Sequence, residues 1–188
     1  MNNIKDWEVY KNNYSNDFVK STLSINSSDV DNFVKLIYEV KQNGGKIIIA
    51  GNGGSASIAS HVSVDFTKAM GINTICFSDA SLITCFANDY GYEHWLENAI
   101  KFHAKKQDLV ILISSSGNSL NIINAAEKCK EMNLPLITFS GFLQDNPLRN
   151  LGDLNFWVDS KSYNIIEMTH QYWILSAMDF IIFKNNQK

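Results

Sequence analysis

Residues 46–55 read Lys-Ile-Ile-Ile-Ala-Gly-Asn-Gly-Gly-Ser, and residues 108–119 read Asp-Leu-Val-Ile-Leu-Ile-Ser-Ser-Ser-Gly-Asn-Ser. Each stretch is a continuous apolar run that passes directly into a turn of small residues. A run that is apolar at successive positions is typical of a strand buried on both faces of a parallel sheet. The two stretches therefore predict two strands of such a sheet, each followed by a loop that opens a helix.

The rest of the chain alternates helical and strand patterns around these two strands. Apolar residues recur at helical spacing over residues 6–23, and again from a cap at Ser27 or Ser28 to a stop at Gly44. A helix follows the first loop to residue 69, and a strand at 73–77 is followed by a helix to about 87 and another at 92–103. A further helix follows the second loop to residue 132, and strands at 134–139 and 154–158 precede a helix at 163–183. This order predicts an α/β three-layer sandwich with a mainly parallel five-stranded sheet flanked by helices. We expect one domain over 1–188, with an N-terminal helical segment at 1–43 and an α/β core at 44–188.

The composition argues against several classes of partner. The net charge is -3 and Arg149 is the one arginine, whereas a nucleic-acid surface needs a concentrated basic patch. No apolar run is long enough for a membrane span, and the polar start at residues 1–6 does not resemble a signal peptide. Three scattered cysteines favour a reducing compartment. We therefore expect a cytoplasmic protein that binds neither nucleic acid nor membrane.

The two loops have the chemistry of an anion site. Ligands of parallel α/β sheets bind beyond the carboxyl ends of the strands, where residues 50–55 and 114–119 lie. Glycines let the backbone approach a ligand, while free N–H groups and the dipole at a helix start favour an anion. Neither loop has the Gly-Lys-Ser/Thr ending of a P-loop, and the first lacks the third glycine of the dinucleotide pattern. The sequence predicts a phosphorylated ligand and no nucleotide cofactor.

Four sequence blocks follow one another along the chain: residues 51–56, His61, residues 88–91 and residues 113–119. Together they resemble the phosphoheptose isomerase branch of the SIS (sugar isomerase) family, and the resemblance covers about residues 30–183. It implies a SIS fold and conversion of sedoheptulose 7-phosphate into a heptose 7-phosphate for capsule or lipopolysaccharide. It also implies a homotetramer with active sites between subunits, and zinc in many members.

The resemblance also assigns substrate contacts. By motif match, the phosphate would be held by Ser114, Ser115, Ser116 and Ser119. The sugar would be lined by Asn52, Gly53 and Ser55, with Asn88 and Asp89 near its other end.

The catalytic residues that the family supplies are only partly matched. An aldose–ketose isomerase needs a base for the carbon proton and an acid for the oxygens. The family has a Glu after the first loop and a His on the last helix, and a second His and a Gln join them at the metal. This chain keeps His61, but Asp65 stands at the base position, four residues on and on the same helix face. Asp is one methylene shorter than Glu, and a misplacement of about 1 Å can cost on the order of a hundredfold in rate.

The last helix departs further from the family pattern, Gln-Glu-x-His with the catalytic His five residues beyond. Matching Glu167 to the Glu places Ile174 at the catalytic His, whereas matching His170 to the His places Glu167 at the Gln and Leu175 at the catalytic His. That His is missing in either alignment. In the second one, Glu167 and His170 could join His61 and Asp65 as ligands of zinc or another divalent metal, or Glu167 could act as an acid or base. Alternatively, Glu167 and His170 are hydrogen-bonded in a tetramer core without metal.

Two functions of different kinds are compatible with these residues. The first is an isomerase, acting on the seven-carbon sugar phosphate or on another one, with Asp65 as base and His61, Glu167 or His170 completing the chemistry. The second is a non-catalytic SIS protein that binds a sugar phosphate or a protein partner as a regulator. Loss of the catalytic His favours the regulator. Retention of both loops and of the His61–Asp65 pair favours the isomerase.

Overall fold

Helices and strands alternate along the chain after two initial helices. The computed structural model describes residues 4–185. The helices are α1 (Ile4–Thr22), α2 (Ser27–Gln42), α3 (Gly54–Met70), α4 (Ala80–Tyr90), α5 (Trp95–His103), α6 (Leu120–Glu131) and α7 (Tyr163–Asn185). The strands are β1 (Ile47–Gly51), β2 (Thr74–Cys76), β3 (Leu109–Ser114), β4 (Leu136–Ser140) and β5 (Leu154–Trp157), and a short 3-10 helix spans Leu148–Asn150. Within residues 4–185, no helix combines the length and the apolar character that a membrane crossing requires.

The predicted elements are all present, with shifts at their ends. Helix α5 begins at Trp95 rather than at residue 92, because residues 92–94 form a turn after α4. Strand β4 begins only after Pro135, which has no N–H for the sheet. The N-cap of α2 is Asn26 instead of Ser27 or Ser28, and no side chain caps this helix.

The sheet is parallel throughout, with strand order β2-β1-β3-β4-β5. Strand β1 pairs with β2 on one side and with β3 on the other, and Gly51 lies beside Ile113. The chain thus changes direction across the sheet between β1 and β3. In open α/β sheets such a reversal leaves a crevice beyond the two carboxyl ends. The crevice therefore lies between the loops that follow β1 and β3.

Alternate residues of the strands enter two separate hydrophobic clusters. Ile47 and Ile49 pack with α2, α3 and α7 on one face of the sheet. Ile48 and Ala50 pack with α5 and α6 on the other face. This alternation follows from the twofold repeat of a strand. The predicted three-layer sandwich with a parallel sheet is confirmed.

The N-terminal helix α1 packs against α7. The indole Nε1 of Trp173 donates a hydrogen bond to the carbonyl oxygen of Thr22 at 2.9 Å, and this joins the two helices. Tyr14 is half-buried against the body of the protein, whereas Trp7 and Tyr10 are 59% and 58% exposed. The aromatic side chains of α1 are thus divided between the chain's own surface and solvent.

His170 of α7 is fully buried in the first cluster. Its Nε2 lies 3.0 Å from the carbonyl oxygen of Ser140, and its ring stands edge-on to Phe139. Burial lowers the pKa of His170 to about 4, because the interior disfavours the charged imidazolium, and the hydrogen bond to Ser140 opposes this only in part. His170 therefore acts as a neutral residue of the core.

We expect the buried histidine to make the protein less stable in mild acid. Its pKa is about 4 in the folded chain against 6.5 for a free histidine, so between these values the unfolded state binds a proton that the folded state does not. The free energy of unfolding should consequently fall by about 3 kcal/mol as the pH drops from 6.5 to 4. Urea denaturation at several pH values measures this slope.

The matched control for this slope is His170→Leu. The carbonyl oxygen of Ser140 also accepts from the N–H of Val158 at 2.9 Å, so it keeps a partner in this variant. The variant should lose most of the decline between pH 6.5 and 4. Parallel stability curves for the two proteins would contradict the assignment.

Candidate active site

The loops after β1 and β3 meet in one small cavity at the carboxyl edge of the sheet. The hydroxyl oxygens of Ser55 and Ser115 are 3.4 Å apart across it. The cavity has a volume of about 130 Å³ and is lined by Asn52, Ser55, Ser114, Ser115, Ser116, Ser119, Tyr163 and Glu167. Most of the residues predicted to bind the phosphate and the sugar are therefore brought together.

The first loop is held by side chains that lie far away in sequence. Asn52 and Asn121 exchange two amide hydrogen bonds of 2.9 Å, and the hydroxyl of Tyr92 donates to Asn52 Oδ1 at 3.2 Å. Asn121 is buried, so its position is fixed by α6. Gly53, predicted to line the sugar, forms the turn before α3 with φ of 54° and is not part of the cavity wall.

The second loop is a tight turn built around Gly117. The Ser114 hydroxyl donates to Ser119 Oγ at 3.2 Å, and Ser116 Oγ accepts from the N–H of Asn118 at 3.2 Å. Gly117 has φ of 67°, a conformation that favours glycine. Its carbonyl accepts from the N–H of Leu148 at 3.1 Å, which ties the loop to the 3-10 helix.

The small cavity offers hydrogen-bond donors without a cationic side chain. Of the described residues, those that line it include no lysine, arginine or histidine. The helices α3 and α6 both begin at this edge, after Gly53 and Ser119. Their first N–H groups and the serine hydroxyls suit a phosphate, because a helix start favours negative charge.

A second and larger pocket adjoins the first, and Glu167 lines both. It has a volume of about 570 Å³ and is lined by Tyr14, Gly54, Ser57, Ile58, His61, Asn164, Glu167, Met168 and Gln171. Glu167 Oε1 accepts from the Ser115 hydroxyl at 3.3 Å. Gly54 makes room for this carboxylate, because a Cβ there would lie 2.1 Å from Glu167 Oε2.

His61 lies in the larger pocket between two polar partners. Its Nδ1 is 2.9 Å from the amide nitrogen of Gln171, and its Nε2 is 3.3 Å from Asp65 Oδ2. Asp65 is not among the residues that line either cavity, so it reaches this pocket only through His61.

Comparison with known proteins agrees with this architecture. The sequence model of the SIS domain family matches residues 11–141 of this chain. A phosphoheptose isomerase of Aneurinibacillus thermoaerophilus is 34% identical, over 90% of this chain and 96% of that protein. One from Helicobacter pylori (strain P12) is 36% identical, over 79% of this chain and 80% of that protein.

The chain belongs to the phosphoheptose isomerase family of SIS-domain proteins. Its fold superimposes on that of phosphoheptose isomerase GmhA from Neisseria gonorrhoeae with a TM-score of 0.86 and 25% identity, covering 95% of this chain and 98% of that one. A phosphoheptose isomerase from Francisella tularensis has the same fold, with a TM-score of 0.86, 23% identity, and 96% and 98% of the two chains covered.

Within this phosphoheptose isomerase fold, the predicted set of four metal ligands does not form. Glu167 and His61 face the larger pocket, but His170 is turned into the core, where its Nε2 pairs with Ser140. Among residues 4–185, no three His, Cys, Asp or Glu side chains come close enough to hold a metal ion. His170 lies away from the pocket, because the face of α7 that carries Glu167 continues at Gln171, four residues on, while position 170 packs into the core. The four predicted side chains therefore do not form a zinc site within one chain.

Asn88 and Asp89 lie apart from both cavities in this chain. They are exposed at the end of α4, where the Asn88 amide donates to Asp89 Oδ1 at 3.0 Å. Their assignment as substrate contacts rests on the family motif and stays a prediction.

Sequence reasoning missed several side chains that shape this phosphoheptose isomerase site. Gln171 follows Glu167 by four residues, and that spacing could have identified it. Tyr163 and Asn164 open α7 at the mouths of the cavities, and no pattern in the sequence marks them. Asn121 is likewise visible only in the fold, because its partner Asn52 comes from the other loop.

Proposed function

We propose that the protein is an aldose–ketose isomerase that interconverts sedoheptulose 7-phosphate and D-glycero-heptose 7-phosphate, for capsule or lipopolysaccharide precursors. The observation that carries the proposal is the pair of adjoining cavities that share Glu167. One is small and rich in hydroxyl donors, and the other is large enough for a sugar chain. The names of the relatives in Aneurinibacillus thermoaerophilus and Helicobacter pylori support the choice of substrate.

The small cavity would hold the phosphate group. The hydroxyls of Ser115, Ser116 and Ser119 can rotate to donate to its oxygens, and the first N–H groups of α3 and α6 add donors. Ser115 is buried, so its hydroxyl meets an anion with little competition from water. The remaining carbons of the sugar would then extend past Glu167 into the larger pocket.

Glu167 is the side chain best placed to move the proton between carbons. In this reaction the carboxylate takes a proton from C1 of the ketose, and the electrons of that C–H bond form the C1=C2 bond of an enediol. The former carbonyl oxygen at C2 gains a proton as this happens. Return of the carbon proton to C2 and loss of the O1 proton give the aldose. The base predicted at Asp65 is thus moved to Glu167, because Asp65 does not line the pocket.

His61 would exchange the oxygen proton, assisted by Asp65. Its Nε2 is 3.3 Å from the Asp65 carboxylate, longer than the distance of about 2.7–2.9 Å typical of a charge-assisted hydrogen bond. A sugar oxygen can therefore replace this weak contact. Asp65 accepts from the Nε2–H of the resting ring. Nε2 would give this proton to O2 of the substrate as the enediol forms and would take the O1 proton in return, so the ring ends neutral.

Self-association and a cytoplasmic location complete the proposal. Exposed aromatic side chains favour association into the homotetramer that the family resemblance implies, and they include Trp7, Tyr10, Tyr90, Tyr172 and Phe183. In such an assembly Asn88 and Asp89 could approach a cavity of another subunit. All three cysteines are free, which suits a reducing compartment.

Proton exchange tests the proposed reaction. Incubation with sedoheptulose 7-phosphate in deuterated water should place deuterium on the carbon next to the carbonyl, detected by NMR. Unphosphorylated sedoheptulose is the control, and it should exchange far more slowly because the small cavity would stay empty. Binding of the sugar phosphate with neither exchange nor product would reject the isomerase and favour a non-catalytic regulator. Exchange with a different sugar phosphate alone would correct the substrate.

A further inference from the structure

Among the described residues, Gln171 is the one side chain of α7 within hydrogen-bond distance of His61. The amide nitrogen of Gln171 lies 2.9 Å from His61 Nδ1, while Asp65 Oδ2 lies 3.3 Å from His61 Nε2. The imidazole is thus held at both nitrogens, from α7 on one side and from its own helix α3 on the other. Gln171 also lines the larger pocket beside Glu167.

These two contacts specify the same protonation pattern of a neutral ring. An amide nitrogen can only donate, so Nδ1 must accept and carries no hydrogen. A carboxylate can only accept, so Nε2 must carry the ring's single proton. If the amide of Gln171 were reversed, its oxygen would require a hydrogen on Nδ1. The lone pair of Nε2 would then face the Asp65 carboxylate, which places two acceptors against each other.

We propose that Gln171 is a positioning residue that keeps the proton of neutral His61 on Nε2, where it can be given to a sugar oxygen. The inference rests on the proposed isomerase function. Without the amide donor, only the weak 3.3 Å contact with Asp65 would favour a proton on Nε2, so part of the molecules would carry it on Nδ1 instead. Ile174 and Leu175, the positions where the catalytic His is expected, lie fully or partly in the hydrophobic core. Gln171 is therefore the polar group through which α7 acts on His61.

The test compares Gln171→Leu and Gln171→Glu with the unmodified protein. Long-range ¹H–¹⁵N NMR of protein labelled at histidine reports which ring nitrogen is protonated, and His61→Phe identifies the signals. The unmodified protein should show His61 as the neutral Nε2–H form near pH 8. Gln171→Leu should give a mixture of the two neutral forms. Gln171→Glu should add a proton on Nδ1 while Nε2 keeps its own, because a carboxylate would then face each nitrogen and can only accept.

Kinetic measurements distinguish a role of Gln171 in positioning His61 from a role in binding the substrate. Gln171→Leu should lower kcat on the order of tenfold to a hundredfold, while KM changes little, because the side chain acts through His61. Gln42→Leu, the same substitution on the exposed end of α2 and away from both cavities, is the matched control and should keep its kcat. Identical His61 spectra in the unmodified protein and Gln171→Leu would overturn the proposal. A changed spectrum with unchanged kcat would also overturn it.

The NMR measurement needs no substrate, so it still tests the His61–Gln171 contact if the protein turns out not to be an isomerase. An unmodified protein that lacks exchange activity, yet shows the expected His61 spectra, would reject the proposed function while leaving the His61–Gln171 contact established.

Discussion

Replacing Glu167 by glutamine should lower kcat on the order of a hundredfold to ten-thousandfold, the range typical of a lost acid–base group. The amide keeps the shape of the side chain and can still contact Ser115, but it cannot accept a proton from carbon. The same change should strengthen binding of inorganic phosphate by about tenfold, or ~1.4 kcal/mol, since a carboxylate beside the small cavity repels an anion. Kinetics by NMR and calorimetry with phosphate measure the two effects.

The opposite signs of these effects make the Glu167 prediction specific. A general loss of structure would weaken phosphate binding and lower kcat together. Glutamine has nearly the same shape and volume as glutamate, so the side chain is compatible with the fold. Glu131→Gln, on the exposed end of α6, is the control and should change neither quantity. A Glu167→Gln protein with more than a third of the original kcat would return the carbon base to Asp65.

Replacing Gly117 by alanine should open the second loop and destabilise the protein. A Cβ at this position would lie 2.0 Å from Asn146 Oδ1. Asn146 cannot move away easily, because it is buried and held by two hydrogen bonds. Its amide nitrogen donates to the carbonyl oxygen of Leu143 at 2.7 Å, and its Oδ1 accepts from the N–H of Arg149 at 3.0 Å. The positive φ adds about 1–2 kcal/mol and the overlap about 1–3 kcal/mol. We expect a loss of about 2–5 kcal/mol in urea denaturation, and a loss of phosphate affinity on the order of a hundredfold.

Gly44→Ala separates the two causes. Gly44 has φ of 65°, close to that of Gly117, but no atom lies within 4 Å of the added Cβ. This variant should lose only the backbone contribution of about 1–2 kcal/mol and bind phosphate normally. Equal stability losses in the two variants, with unchanged phosphate affinity in Gly117→Ala, would show that the turn does not shape the cavity.

The fold and the phosphate loops could be predicted because local patterns determine them. The runs at 47–50 and 109–113 are apolar at every position, so they identify buried parallel strands. Parallel strands that are neighbours carry their loops to one edge, and the convergence of Ser55 and Ser115 follows. The sequence also places Glu167 on the last helix, although not its contact with Ser115.

The orientation of α7 could not be predicted in the same way. This helix has apolar residues on most of its sides, so its sequence does not show which side meets the sheet. Spacings of three and of four residues both keep side chains near one face, so spacing alone does not show whether His170 or Gln171 lies beside Glu167. In the structure, His170 packs against Phe139 and therefore lies in the core. The position of Asp65 outside the pocket likewise depends on how α3 packs against α7, which the sequence does not show.

The larger pocket takes its walls from Tyr14, His61 and Gln171, which are separated by most of the length of the described chain. During synthesis, therefore, neither α1 nor α3 can present a finished pocket until α7 has emerged from the ribosome and docked beside them. Until then the apolar flank of α3 stays uncovered. Helix α7 is thus the element that both completes the site and covers the apolar flank of α3, so its arrival ends the period in which the nascent chain is prone to aggregation.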